Sequence, residues 1–165
     1  MPSSDTVNSN RWLKPFAHWL RHPNLWHLNR RSVAGGVATG LFCGLIPGPL
    51  QMLSAALCAV WLRVNLPIAL AVTLYSNPFT ILPLYAVAYE LGSWFNGTHS
   101  EVLLTLPDLH WHNWLSELWH WLVKMGKPIL IGLPLLGIIL ATLGYIAVRV
   151  LWRVGVVLRW RARKK

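Results

Sequence analysis

Carboxylates are scarce in this chain. Its 165 residues carry 5 Asp and Glu against 15 Lys and Arg, a formal net charge of +10. Only 12% are charged, where soluble domains carry about 25%. Such a shortage argues against paired-carboxylate catalysis. Cysteine is nearly absent too. Cys43 and Cys58 both lie inside apolar blocks and read as small buried hydrophobes, not as a disulfide or metal ligands. No nucleophile elbow or kinase-type motif is present, and no GK[ST] follows the glycines of the first apolar block. Met1 to Asn10 is polar, so no signal peptide is expected.

What the chain has is apolar. Hydrophobic residues make up 55% of it, and the mean hydropathy is +0.44. All of the 15 basic residues except Arg63, Lys124 and Lys127 flank the apolar middle. Arg11 to Arg31 precede it, and Arg149 to Lys165 follow it. Basic residues in short flanks of membrane segments are what the positive-inside rule produces. A nucleic-acid surface would interleave them with polar and aromatic residues on a folded face, so no nucleic-acid partner is expected.

The pattern divides into segments 1–32, 33–95, 96–127 and 128–165. In the first, Arg11 to Leu20 places Trp12, Leu13, Phe16, Trp19 and Leu20 at helical spacing opposite Arg11, Lys14 and His18. This predicts a basic amphipathic helix on an anionic membrane surface. The apolar block Val33–Leu62 would be about 45 Å long as one helix, beyond a hydrocarbon core of about 30 Å. Pro47-Gly48-Pro49 divides it into Val33–Ile46 and Leu50–Leu62. A second block, Leu66–Phe95, repeats the design: Leu66–Ser76, a break at Asn77-Pro78-Phe79-Thr80, and a second half opened by Pro83. Each interrupted block is re-entrant or a discontinuous span. A third block, Ile129–Val148, is a regular span with Gly137 and Ala141 as a small-residue face. Two basic ends on the cytoplasmic side require an even number of crossings. The Pro-Gly-Pro block is the better candidate to return to its own side, because its turn is the tightest. The fold class expected is therefore an all-α integral membrane protein. Between the spans, Trp111, Trp114, Leu115, Leu118 and Leu122 predict an interfacial helix outside.

Non-helical backbone at membrane depth survives only when buried in protein or lining a wet cavity. Two interrupted blocks therefore predict a shared polar centre, and Gln51, Ser54, Thr73, Tyr75, Ser76, Asn77, Thr80 and Tyr85 lie beside the breaks. These residues suit a ligand site or simply cap helix ends, and both readings stay open. Glu90 is the only acid within the blocks, and Arg63 is its nearest candidate partner in sequence. Asp108, His110, His112, Glu117 and His120 match no closed zinc spacing. No catalytic residue, metal or cofactor is assigned. A headgroup enzyme using His110, His112 or Glu117 is the weakest alternative. Gly36, Gly40 and Gly44 form a face for close helix packing.

These positions also carry a resemblance. Ser32-Val33-Ala34, Gly36, Ala38, Gly40-Leu41-Phe42, Gly44 and Pro47, then Gln51, then Arg63, Asn65-Leu66-Pro67 and Ala69, then Asn77-Pro78, Thr80, Pro83, Tyr85, Ala88-Tyr89 and Gly92 resemble the bacterial domain of unknown function 2062. The resemblance covers about Arg30 to Phe95 and implies a bacterial inner-membrane protein without a defined activity. The layout is similar, by analogy, to small re-entrant-loop families proposed to move lipids. The expectation is a small transporter or lipid-handling protein with its site between the breaks. The alternative is a non-transporting scaffold or assembly factor. Partners expected are anionic lipid headgroups at both basic ends and a second copy or membrane partner protein.

Overall fold

A computed structural model describes residues 23–77, 79–96 and 114–162. The expected amphipathic helix Arg11–Leu20, Pro78, Trp111 and the cluster Asp108, His110 and His112 lie outside these residues. The described residues form six α-helices and no strand. They are α1 (Arg30–Cys43), α2 (Leu50–Leu62), α3 (Leu66–Thr73), α4 (Ile81–Asn96), α5 (Trp114–Met125) and α6 (Lys127–Ala162). The all-α expectation holds. By length and apolar composition, α6 is the one described helix able to cross a membrane.

Local chemistry sets most of the helix ends. Asn29 caps α1, its Oδ1 accepting from the Ser32 amide at 2.7 Å. This starts the helix at Arg30, three residues before the apolar run. Gly48 sits between two prolines at φ 74°, a conformation that a residue with a Cβ adopts at a cost. The chain reverses there, and α2 follows. Asn65 caps α3 through the Ile68 amide at 3.1 Å, with Pro67 in the first turn, where a missing N–H removes nothing. For the same reason Pro83 lies inside the first turn of α4 and does not open it, as its spacing suggested. Gly126, at φ 63°, separates α5 from α6. The last helix does not stop at Val148. It runs 36 residues, about 54 Å, carrying Arg149, Arg153, Arg159 and Arg161 on its extension.

Packing rests on missing side chains. One face of α1 meets α3 along its glycines: Gly36 lies against the Asn65 carbonyl, Gly40 against the Ala69 carbonyl, and Gly44 against the Tyr75 ring. Elsewhere on α1, Val37 and Leu41 cover Gly144, while Phe42 and Leu45 cover Gly137. Thus α1 runs antiparallel to α6 and parallel to α3. The α1–α2 hairpin closes on itself, since Val64, just past α2, packs on Gly35 at the start of α1. Helix α4 crosses α6 at a reciprocal pair, Gly92 on Pro128 and Gly132 on Ala88, backbone against backbone. The core cluster gathers Leu45, Tyr85, Tyr89, Trp121, Met125 and Ile129. Among the described side chains of α5 the buried ones are Trp121 and Met125, neither of which the expected stripe included; Leu122 is half-buried. Large apolar side chains such as Leu53, Leu57, Trp61, Leu130 and Leu143 point outward.

A Cβ at Gly92 or Gly132 would meet backbone that no rotamer change can move. Gly92→Ala and Gly132→Ala should each destabilise by about 1–3 kcal/mol, read as a lower melting temperature in detergent micelles. Gly155, whose added Cβ meets nothing, serves as the reference: Gly155→Ala should be neutral or slightly stabilising.

Candidate functional site

Helix α1 ends inside an apolar segment, leaving carbonyls without intrahelical donors. Two tyrosines from distant sequence supply them. The Tyr75 hydroxyl donates to the Leu41 carbonyl at 2.8 Å, and the Tyr85 hydroxyl donates to the Leu45 carbonyl at 2.6 Å. Tyr85 is wholly buried. The second interruption is stitched similarly. Thr80 Oγ1 donates to the Tyr75 carbonyl at 2.6 Å. Asn77 Oδ1 accepts from the amides of Phe79 and Thr80, each at 3.0 Å. Ser76 Oγ reaches across to Gln51 Oε1 at 2.7 Å and to the Thr73 carbonyl at 3.0 Å. The two breaks are thus joined by a side-chain bond between Ser76 and Gln51.

Ser54 and Thr73 donate within their own helices, to the carbonyls of Gln51 and Leu70. Arg63 and Glu90 are not brought together. Arg63 is exposed at the end of α2, at φ 55°, beside the Val64 that covers Gly35. Glu90 is exposed on α4, between the Ala88 and Gly92 that pack on the start of α6. They occupy opposite ends of the bundle. Among the described residues, no buried side-chain polar atom lacks a hydrogen-bond partner and no cluster of three His, Cys, Asp or Glu could hold a metal.

The family assignment follows from a whole-chain comparison. The family model described as "Uncharacterized protein conserved in bacteria (DUF2062)" matches residues 13–161. The chain belongs to DUF2062. The match reaches well beyond Arg30 to Phe95, taking in the tryptophan-rich segment and α6, which the motif resemblance had left outside. No curated protein and no solved structure matches the chain.

Two features of this DUF2062 member were given no structural role in the sequence reading. Asn65 is buried; it caps α3, its backbone amide donates to the Ser32 carbonyl at 3.2 Å, and its side-chain amide to the His27 carbonyl at 3.4 Å. Its signal was the Asn-x-Pro start of a helix. The second is a cavity of about 320 Å³ lined by Arg30, Arg31, Tyr145 and Arg149. Those arginines had counted only as bulk flanking charge.

Removing the Tyr85 hydroxyl leaves a buried carbonyl unpaired. Tyr85→Phe should cost about 1–3 kcal/mol, measured by denaturant titration of the detergent-solubilised protein. An unchanged midpoint would show that the Leu45 carbonyl finds another donor.

Proposed function

We propose that this DUF2062 protein is a multi-pass protein of the bacterial inner membrane, with both termini cytoplasmic, that serves as a non-transporting scaffold. Its α1–α2 hairpin enters and leaves by one face, while α3 with α4 crosses once and α6 crosses once. Several features support this topology. Arg30, Arg31, Arg63 and Arg149 gather at one end of the bundle, as basic residues on a cytoplasmic face do. Val64 returns to Gly35. The outward surface of α2, with Leu53, Leu57 and Trp61, suits lipid, a second copy or a membrane partner protein.

The scaffold reading is carried by one observation: the polar side chains at the breaks bond to each other and to the chain's own backbone. Such bonds relieve the several kcal/mol that each unpaired group costs in hydrocarbon. A transporter or lipid-handling site centred on Gln51, Ser76 and Asn77 is the second reading, favoured by the 2.7 Å contact that joins the two breaks.

Replacing both partners of a hydrogen bond by apolar groups is close to neutral for a structural joint. Gln51→Leu with Ser76→Ala should therefore complement a deletion strain as the wild type does, at equal membrane abundance. A folded, membrane-resident double variant that fails to complement would contradict the scaffold and favour the transporter.

A further inference from the structure

The joint between the breaks makes no use of the cavity at the arginine-rich end of the bundle. Arg30, Arg31, Tyr145 and Arg149 line it, and its volume is about 320 Å³, room for a small charged group. Among the described residues no carboxylate lines it. The described acids lie elsewhere. Glu90 belongs to the stretch of α4 that packs on Pro128 and Gly132, about 20 Å along α6 from Tyr145. Glu117 is on α5, ahead of the start of α6.

The cations are also positioned. Arg149 donates to the Tyr145 hydroxyl at 3.4 Å, and its guanidinium carbon sits 5.5 Å from the Tyr145 ring centroid. Arg30 and Arg31 are the first two residues of α1, whose start is fixed by the Asn29 cap. Three exposed guanidinium groups lining one concavity give it a positive potential that favours an anion. The planar, multi-donor guanidinium fork matches the oxygens of a phosphate in pairs, where an ammonium offers only a point charge.

We propose that Arg30, Arg31, Tyr145 and Arg149 form a binding site for a phosphate-bearing anion, supplied as a lipid headgroup phosphodiester or as free phosphate. The site deepens the membrane reading, and rests on it for the lateral access of a lipid to the cytoplasmic end of α6.

The test uses the full chain in neutral maltoside micelles, with melting temperature followed against short-chain phosphatidylglycerol, phosphatidylcholine or inorganic phosphate. Saturable protection by phosphatidylglycerol and not phosphatidylcholine is the result expected for a lipid source. Protection by inorganic phosphate at lower concentration identifies a free phosphate. In either case Arg30→Gln with Arg149→Gln should weaken apparent affinity roughly tenfold or more. Arg153→Gln with Arg159→Gln removes the same charge outside the cavity and should change it less than about twofold. Arg31→Gln alone, which leaves the Arg149–Tyr145 contact intact, repeats the comparison if the double variant fails to fold. Protection by neither anion, or equal losses in the two double variants, would overturn the site. Alkaline carbonate extraction reads the membrane assignment separately: a chain released by carbonate would sink that assignment while leaving phosphate binding in micelles intact.

Discussion

Backbone carbonyls left behind when a helix stops in apolar surroundings must find donors, and in this chain they find them in two tyrosines. Leu41 and Leu45, in the last turn of α1 and just beyond it, accept from Tyr75 and Tyr85. Those hydroxyls arrive from sequence 34 and 40 residues away, so the end of one helix fixes where two later elements must pass. The glycines then decide how closely they pass. With no Cβ at Gly36, Gly40 and Gly44, α3 lies against α1, and the polar residues at the second break come within reach of Gln51.

Close backbone contact and shared hydrogen bonds make a polar seam inside a bundle whose outer surface is apolar. The reciprocal seat of Gly92 and Gly132 continues this logic at the far end, where α4 meets α6 without side chains between them. Volume is removed at these crossings, and large side chains project outward. Arg30, Arg31, Arg63 and Arg149 gather at one end of the bundle, while Glu90 and Lys127 lie towards the other.

Much of this was legible in the residues. Pro47-Gly48-Pro49 and Asn77 onward announced where helices would stop, and the spacing of Gly36, Gly40 and Gly44 announced a packing face. Gln51, Ser76, Thr80 and Tyr85 could be named as a polar group beside the breaks. Their partners could not, because an acceptor such as the Leu45 carbonyl exists only once α1 has ended and α4 has been laid beside it. Gly92 was named only within the motif resemblance and Gly132 not at all, because the packing role of each has meaning only against the other. Local pattern also misplaced several boundaries; α1 and α3 end at Cys43 and Thr73, each three residues before the expected Ile46 and Ser76. Pro83 resembles a helix opener yet fits within a first turn, and the arginines after Val148 resemble a tail yet are spaced along an unbroken helix.

The depth of the two interruptions is the quantity on which the membrane assignment turns. Spin labels at Pro49 and Phe79, both exposed, can be introduced one at a time into protein lacking Cys43 and Cys58 and reconstituted in lipid nanodiscs. Power saturation should find both labels more accessible to oxygen than to a water-soluble nickel chelate, placing them within the hydrocarbon. Preferential access of the nickel chelate to both sites would put the interruptions at the water boundary and contradict a polar seam held inside the bilayer.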